Sequence, residues 1–558
     1  MIKTIYYYLL LCLLLPHNAS AAPAPPKPNI IVILVDDMGF ADLGCYGSEI
    51  PTPNLDQLAA GGLRFTHFHN DSRCSPSRAT ILTGLYSQEA GIGVLTGQRK
   101  GPDGQPLPGY LGHLNDNCVT IAEVLHSAGY FTAMSGKWHV GQEYGVVPWN
   151  RGFDRSLNSP VGGFYYPADK NTRLFLNGHD VGRGGHEGVP ADWYSTDLWT
   201  EYGLKFIHEA QDAKKPFFLY LAYNAPHFPL EAPAEDIAKF RGKYLAGWDQ
   251  LRNERYARQI KLGVIDPAWP LSPRPPEVKP WDSLAPEQKD RFDHIMAIYA
   301  ACVYHMDKEV GVLVAGLAKR GLLDNTLILF MSDNGGNYES GPNGRLEGAS
   351  PGGPDSTVFC GQSWATLENT PFRRYKHFEH EGGISSPLIA HWPAGIPAKN
   401  ELRDEQTHII DIMATCVAVS GAQYPTQFHG HDIHPADGRS LLPAFANQPI
   451  QRDAIYWEHE GNAAVLQGDW KLVRFRWNGV WELYNLKADR TEQHDLSTAQ
   501  PDKVKQLSAM WNDWAKKDNV LPEPHLKFPM FTPNDGYGGS PPLRGPAVDA
   551  ADSANPEE

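Results

Sequence analysis

A chain of 558 residues is far longer than one small hydrophobic core needs, and its length predicts roughly two to four domains. Charged residues make up 20% of the sequence and hydrophobic residues 42%, a composition that is typical of globular enzymes and excludes a disordered or membrane-spanning chain. The net charge of -15 argues against nucleic acid as a partner, because phosphate binding requires a clustered basic surface.

The chain begins with the features of a secretory signal peptide. Lys3 precedes an apolar run over residues 5–15, and small residues at positions 19–21 form a cleavage site. The run is too short to span a bilayer, so residues 1–21 predict export to the periplasm or the cell exterior without stable membrane insertion. Cys12 leaves with the signal, and the remaining cysteines are too dispersed for a disulfide framework: Cys45, Cys74, Cys118, Cys302, Cys360 and Cys416.

Four short apolar runs are typical of parallel strands buried on both faces: residues 29–35, 131–134, 217–223 and 326–331. Each run stops at polar residues. Helical segments lie between the runs, and Thr120 with Glu123 forms a capping box that opens one of them. Alternating strands and helices predict an α/β fold with a doubly wound parallel sheet, in which ligands bind beyond the carboxyl ends of the strands.

The later part of the chain differs in character. Residues 225–285 contain many prolines and charges and predict a long excursion over the rim of the fold. Beyond Pro449 the sequence predicts three short strands and a helix: residues 454–457, 470–475, 480–483 and 501–517. We predict a catalytic α/β domain over 22–449, a C-terminal α+β domain over 450–532 with an antiparallel sheet plus helix, and a disordered tail over 533–558.

Two of the predicted strands end in acidic residues. Asp36 and Asp37 follow the first strand, and Asp333 and Asn334 follow the fourth. Asp36 and Asp37 alone would more often form a solvated turn or a helix cap, but a second pair at the same edge of the sheet favours a metal site. Three carboxylates and an amide oxygen suit Ca²⁺, or Mg²⁺, better than zinc, and the cation relieves their mutual repulsion.

Residues 74–84, which read C-S-P-S-R-A-T-I-L-T-G, are the most informative stretch of the sequence. Pro76 suits the first turn of a helix, so Cys74 would lie at a helix N-terminus, where backbone N–H groups and the helix dipole favour an anion. Arg78 lies one turn further on and would return to the same face, where it can hold an oxyanion. Taken alone, Cys74 is more typical of a buried structural cysteine.

This stretch resembles the C-x-P-x-R signature of the type I sulfatases, which are relatives of alkaline phosphatase. The resemblance runs from about residue 29 to residue 496 through further motifs: residues 36–37 (DD), 136–139 (GKWH), 224–227 (NAPH), 332–336 (SDNGG), Lys376 with 381–383 (EGG), and 482–486 (ELYNL). It implies an alkaline-phosphatase-like fold, with a large, mostly parallel sheet flanked by helices and a smaller C-terminal α+β domain.

In this family a maturation enzyme oxidises the motif cysteine to formylglycine, so the resemblance implies that modification at Cys74. The Ca²⁺ ligands that it implies are Asp36, Asp37, residue 74, Asp333 and Asn334. The residues that it implies around the sulfate are Arg78, Lys137, His139, His227 and Lys376. His227 would protonate the departing alcohol, and His139 would remove a proton from the hydrated aldehyde. Lys137 and His139 are two residues apart, so in extended backbone they would point the same way.

Hydrolysis of organic sulfate esters is the predicted reaction, and both aryl sulfates and sulfated sugars remain open as substrates. A phosphonate or phosphate ester hydrolase on the same scaffold is one alternative, and a catalytically silent protein that binds sulfated glycans is another. The histidine-rich run at 429–434 could indicate a second metal site, but it lies outside the matched motifs and favours a surface loop. Residues 373–375 are bulkier than the form usual in the family, which bears on substrate preference.

Overall fold

The computed structural model describes residues 27–354 and 356–521, so the predicted signal peptide and C-terminal tail lie outside the described residues. The strands are β1 (Asn29–Val35), β2 (Leu63–Phe65), β3 (Phe68–His69), β4 (Phe131–Lys137), β5 (Arg155–Ser159), β6 (Leu174–Leu176), β7 (His179–Gly182), β8 (Phe217–Ala222), β9 (Thr326–Ser332), β10 (Arg345–Glu347), β11 (Thr357–Phe359), β12 (Leu388–His391), β13 (Glu401–Arg403), β14 (Thr407–His408), β15 (Gln427–Phe428), β16 (His431–Asp432), β17 (Ile455–His459), β18 (Asn462–Gln467), β19 (Trp470–Arg474) and β20 (Trp481–Asn485).

The helices are α1 (Pro53–Ala60), α2 (Cys74–Thr83), α3 (Ile121–Ser127), α4 (Ser195–Asp212), α5 (Ala234–Phe240), α6 (Gly247–Leu262), α7 (Pro286–Lys319), α8 (Gly361–Glu368), α9 (Glu381–Ile384), α10 (Asp411–Ser420), α11 (Leu442–Phe445) and α12 (Pro501–Lys517). The capping box that the sequence predicts at the start of α3 is present, since Thr120 and Glu123 each accept the backbone N–H of the other.

A single ten-stranded sheet forms the centre of the fold, in the order β13-β2-β12-β9-β1-β8-β4-β5-β6-β7. Its middle is parallel, because β1 pairs with β8 and β9, and β4 pairs with β5 and β8. β12 runs antiparallel between β9 and β2, and the β6–β7 hairpin forms the opposite edge. The predicted mostly parallel sheet flanked by helices is confirmed.

Each face of the sheet is covered by its own hydrophobic core. The odd-numbered residues 31–35 of β1 pack into one core with α1, α4 and α7. The even-numbered residues 30–34 pack into a second core with α2, α3 and α10. Successive side chains of a strand point to opposite faces, so burial on both sides explains why β1 is apolar throughout.

A four-stranded antiparallel sheet, β17-β18-β19-β20, forms the C-terminal unit. α12 packs on it through Leu507, Trp511 and Trp514, and Trp511 Nε1 donates a hydrogen bond of 2.9 Å to the carbonyl of Trp457. The predicted antiparallel sheet plus helix is confirmed. The structure adds one strand, β18, which joins β19 through a turn at Gly468 and Asp469.

The excursion over residues 225–285 contains more regular structure than its sequence suggests, because α5 and α6 both lie within it. Arg255 of α6 is fully buried and pairs with Asp42 at 2.7 Å and Glu49 at 2.8 Å. A buried face that carries ion pairs does not produce an apolar stripe, so hydrophobic periodicity does not predict this helix.

The described cysteines form no disulfide with one another, in line with their wide spacing. Five are buried and Cys45 is half-buried. Within the described residues, no helix combines the length and the apolar character that crossing a membrane would require.

Candidate active site

Two adjacent parallel strands place acidic side chains next to each other. β1 and β9 pair in a register that brings their carboxyl ends level, so Asp36 and Asp333 each follow the sheet at the same edge. The N–H of Asp37 donates to Asp333 Oδ1 at 3.2 Å, and Asn334 Nδ2 donates to Asp37 Oδ1 at 2.8 Å. All four side chains are buried. The structure therefore brings together the four oxygen-bearing side chains that the sequence analysis selects.

Cys74 is the first residue of α2, as its motif predicts. Arg73 before it is extended, and every residue of the helix is buried. Pro76 lies in the first turn, where a missing N–H removes no intrahelical hydrogen bond. Burial lowers the pKa of the Lys376 ammonium, but the charge of Asp37 outweighs burial and raises this pKa above its usual range.

Three buried cations surround the acidic side chains. Lys137 Nζ pairs with Asp36 Oδ2 at 2.5 Å, and Lys376 Nζ pairs with Asp37 Oδ1 at 2.6 Å. Arg78 Nη2 pairs with two carboxylates, Asp333 Oδ2 at 3.0 Å and Asp36 Oδ2 at 3.2 Å. The three cations come from the end of β4, the loop before α9 and the second turn of α2. The arrangement provides fixed positive charge for an anionic group that binds beside the acidic residues.

His227 adjoins the same cluster. Its Nε2 lies 3.6 Å from Asp37 Oδ2, and its side chain is 13% exposed. Its ring stacks on Phe228 with a centroid separation of 4.2 Å. Burial lowers the pKa of His227 to about 4, although the charge of Asp37 opposes the shift.

His139 follows β4 by two residues and has a left-handed backbone with φ of 56°. The expectation of extended backbone from Lys137 to His139 is therefore wrong, because β4 ends at Lys137 and the chain turns there. Burial and the charge of Lys137 together hold the pKa of His139 well below its usual range. Its Nδ1 is buried and makes no hydrogen bond to the described residues.

The carboxyl groups of Asp36, Asp37 and Asp333 are all buried, but their charged neighbours differ. Burial raises the pKa of Asp36, yet the charges of Lys137 and His227 overcome this and leave the pKa well below its usual range. The pKa of Asp37 is also lowered, chiefly because Lys376 outweighs burial. Burial and the charge of Asp36 raise the pKa of Asp333 to about 8. The neighbouring cations thus relieve only part of the repulsion among the carboxylates.

The oxygen atoms that remain fit a hard divalent cation. Asp36 Oδ1 and Asn334 Oδ1 are buried and accept no hydrogen bond from residues 27–354 or 356–521. Carboxylate and amide oxygens are the ligands that Ca²⁺ and Mg²⁺ prefer. One ligand atom each of Asp36, Asp37 and His227 also lies within 4.8 Å of the others, but an imidazole is not a typical ligand of these cations.

Two residues outside the predicted set contact the site. Asn337 Nδ2 donates to Asp37 Oδ2 at 2.8 Å, and Ser77 Oγ donates to the carbonyl of Asp333 at 2.5 Å. Asn337 directly follows the S-D-N-G-G motif, and Ser77 occupies the second of the two free positions of C-x-P-x-R. Both residues could therefore have been selected from the sequence as candidates, because they adjoin or lie within the motifs.

The histidine-rich run at residues 429–434 lies apart from this cluster. β15 and β16 form a two-stranded hairpin there, and His429 and His431 are exposed. Among the described residues, no group of side chains suited to a metal ion includes them. The run is a surface hairpin where the sequence predicts a surface loop.

Comparison with known proteins gives matches along most of the chain. The family model described as Sulfatase matches residues 28–422, and the model described as N-sulphoglucosamine sulphohydrolase, C-terminal, matches residues 373–517. An uncharacterized sulfatase of Schizosaccharomyces pombe is 34% identical over 89% of this chain and 95% of its own length. An arylsulfatase of Klebsiella aerogenes is 33% identical over 74% and 91%. The crystal structure of Ps i-CgsB in complex with k-i-k-neocarrahexaose matches with a TM-score of 0.64 and 29% identity, over 89% and 94%.

Proposed function

The chain belongs to the sulfatase family of sulfuric ester hydrolases, and we propose that it acts through a formylglycine at residue 74 and a bound Ca²⁺. The substrates we propose are organic sulfate esters, aryl or carbohydrate, met after export of the protein. The observation that carries this proposal is the convergence of Cys74, at the start of a buried helix, with three cations and a cluster of four oxygen-bearing side chains.

The residues that would hold the cation are Asp36, Asp37, Asp333 and Asn334, together with residue 74. When bound, a divalent cation supplies a Lewis acid that polarises the sulfate oxygens. Lys137 and Lys376 would bind the same oxygens through their ammonium groups, which lie in a buried site where charge is weakly screened. Arg78 contacts Asp36 and Asp333. It would orient the nucleophile at residue 74 and hold a sulfate oxygen.

A formylglycine supplies, in its hydrated form, a hydroxyl nucleophile at residue 74. His227 would donate a proton from Nε2 to the departing oxygen, since this nitrogen lies beside Asp37 and its side chain reaches solvent. The negative charge of a bound sulfate ester would favour the protonated form of His227. His139 would accept a proton from residue 74 at Nδ1, which makes no hydrogen bond to any described residue.

The proposal is tested on matured protein with matched esters. Sulfate release should be measured on a panel of aryl sulfates and sulfated sugars, with phosphate and phosphonate esters of the same alcohols alongside. Cys74→Ala should abolish turnover, and Cys416→Ala, which alters a buried cysteine in α10, should retain it. Peptide mass spectrometry should find formylglycine at residue 74, and chelation should stop turnover until Ca²⁺ is restored.

Each part can fail separately. Unmodified Cys74 in fully active enzyme would refute the formylglycine nucleophile. Full activity without metal, verified by elemental analysis, would refute the Ca²⁺ site. Faster hydrolysis of the phosphate or phosphonate esters than of the sulfate esters would assign the chain to the alternative reaction.

A further inference from the structure

A second cluster of side chains suited to a metal ion lies where the C-terminal sheet meets the loop before α9. His459 ends β17, Glu460 lies in the turn to β18, and His377 directly follows Lys376. One nitrogen or oxygen atom of each lies within 4.8 Å of the other two. The side chains of His377, His459 and Glu460 are 1%, 0% and 7% exposed. The three groups are therefore enclosed, unlike an incidental cluster at the surface.

The turn that presents Glu460 has an unusual composition. Glu460 and Gly461 both have left-handed backbone, with φ of 54° and 84°, in the two-residue connection between β17 and β18. This conformation suits glycine or asparagine at both positions and is strained for glutamate. Strain of this kind is commonly retained where the side chain has a function. The turn places the Glu460 carboxylate within 3.4 Å of His377 Nδ1 and 3.6 Å of His459 Nε2.

The separations of the two histidine nitrogens from the Glu460 carboxylate fit a tetrahedral ion, and the two nitrogens lie within 4.8 Å of each other. His377 Nδ1 lies 3.4 Å from Glu460 Oε2, and His459 Nε2 lies 3.6 Å from the same oxygen. Ligands that each lie about 2.1 Å from a tetrahedral Zn²⁺ are about 3.4 Å from one another. Two imidazoles and a carboxylate are a recognised zinc ligand set that leaves a fourth position for water.

A hydrogen bond from the other ring nitrogen of His459 determines the protonation state of the nitrogen that faces the cluster. Its Nδ1 lies 3.3 Å from the carbonyl oxygen of Gly93, and a carbonyl can only accept, so Nδ1 carries the proton. In the neutral ring, Nε2 then directs a lone pair at the Glu460 carboxylate. In the described part of the chain, neither His459 Nε2 nor Glu460 Oε2 makes a hydrogen bond. Two acceptors facing each other in a buried site need a cation or a proton donor between them.

His377 has a carboxylate behind it, as metal-binding histidines commonly do. Its Nε2 lies 3.4 Å from Glu339 Oε1 and also contacts Arg73 Nη1. When Nε2 donates to Glu339, Nδ1 offers a lone pair to the cluster. When Arg73 donates to Nε2 instead, Nδ1 carries the proton and donates to Glu460, and no ion is bound. Arg73 pairs with Glu339 at 2.9 Å, so its charge is partly neutralised in either arrangement.

We propose that His377, His459 and Glu460 bind a zinc-type divalent cation, with Glu339 orienting His377 from behind. The ion would join the β17–β18 turn to the residue after Lys376, and Arg73 extends this contact to the residue before Cys74. Because metal-binding free energy adds to folding free energy, the ion would stabilise the attachment of the C-terminal sheet to the site. The site is separate from the Ca²⁺ cluster and does not depend on the proposed reaction.

Zinc binding to the full chain tests the proposal, with Ca²⁺ kept in excess so that the acidic cluster is occupied. Wild-type protein should retain one equivalent of Zn²⁺ at micromolar concentration and melt at a higher temperature with it than without it. X-ray absorption at the zinc edge should show nitrogen and oxygen ligands at about 2.0–2.1 Å. Glu460→Gln and His459→Asn should abolish stoichiometric binding, and Glu339→Gln should weaken it about 10–100-fold.

His431→Ala is the matched control, because it removes an exposed histidine from the β15–β16 hairpin and should leave zinc affinity unchanged. Circular dichroism separates loss of the site from loss of the fold, and Glu339→Gln keeps the test available if a ligand variant fails to fold. Zinc binding that survives Glu460→Gln and His459→Asn would overturn the proposal. So would the absence of a zinc-dependent shift in the wild-type melting temperature, or a crystal grown with Zn²⁺ that holds only a water at the cluster.

Discussion

His227 and His139 are the two histidines beside the acidic cluster, and their proposed roles predict different kinetic behaviour. His227→Ala should slow the hydrolysis of a sugar sulfate by about 10²–10⁴-fold, because an alkoxide needs a proton in order to leave. A nitrophenyl sulfate should lose much less, since its phenolate is already stable. His139→Ala should slow both substrates by a similar factor, because its proton transfer does not involve the alcohol. Equal losses on both esters for His227→Ala would contradict the assignment of His227 as the acid.

Asn337 supports the metal site by contacting one of its proposed ligands. Asn337 Nδ2 donates to Asp37 Oδ2 at 2.8 Å, so it fixes the orientation of that carboxylate. Asn337→Ala should weaken Ca²⁺ binding about 10–100-fold, while the turnover number at saturating Ca²⁺ changes much less. Calorimetric titration with Ca²⁺ measures the first effect and kinetics the second. Asn343→Ala, at an exposed position in the same loop, is the control, and an equal effect there would argue against a specific role.

At the residue scale, the sequence predicts the positions of side chains that directly follow strands. It does not predict the positions of side chains that depend on the conformation of loops. Asp36 and Asp333 could be placed together because parallel strands end at one edge of a sheet. His139 illustrates the limit, because a left-handed residue after β4 breaks the alternation that its spacing suggested. His377 and His459 could not be paired from the sequence, since only the packing of the C-terminal sheet against the loop before α9 brings them together.

At the element scale, a buried ion cluster joins β19 to α9. Lys471 Nζ lies 2.8 Å from Glu381 Oε1 and 2.9 Å from Glu492 Oε1, and all three side chains are fully buried. Lys471→Met should lower the free energy of unfolding by about 3–5 kcal/mol, because it leaves two carboxylates in the interior without their shared partner. Thermal and chemical unfolding measure this. Lys505→Met, on the exposed side of α12, should have little effect, and a loss no larger than in this control would contradict the prediction.

Elements were predictable where local signals agree with burial. The capping box at Thr120 and the apolar run of β1 both carry such signals, and both elements form as expected. α6 was missed because its buried face carries Arg255, whose charge is compensated by partners distant in the sequence. β18 was missed because its residues, N-A-A-V-L-Q, include small side chains that have little strand preference of their own.

At the scale of the whole molecule, the order of the strands is the least predictable feature. β12 lies antiparallel between β9 and β2, although more than 300 residues of chain separate β2 from β12. No local pattern encodes a contact of this kind, and it depends on which surfaces remain to be covered once the parallel centre has formed. Most of the motifs could be located without this information, because they lie at the ends of β1, β4, β8 and β9 in the parallel centre. Cys74 and Arg78 on α2, and Lys376 before α9, are reached only through their motifs.

The response of the whole fold to acid should depend in part on His69, which is fully buried beneath the C-terminal sheet. Its Nε2 lies 3.2 Å from Glu381 Oε2, and Lys471 and Arg490 contact the same glutamate. Burial lowers the pKa of His69 from 6.5 to about 4, although the charge of Glu381 opposes the shift. The unfolded chain therefore binds this proton first as the pH falls. The stabilising contribution is complete above pH 6.5, and on the order of 3 kcal/mol is lost as the pH falls through the folded pKa.

His69→Gln isolates this contribution, because glutamine can still donate to Glu381 but does not titrate. Melting temperatures of wild type and variant should be compared from about pH 7.5 to about pH 4.5. The advantage of the wild type should stay constant down to about pH 6.5 and then shrink as the pH falls further, since every other titrating group is common to both proteins. His431→Gln, which alters an exposed histidine, should remain parallel to the wild type at every pH. A difference between wild type and His69→Gln that stays constant with pH would show that His69 does not titrate differently in the folded and unfolded states.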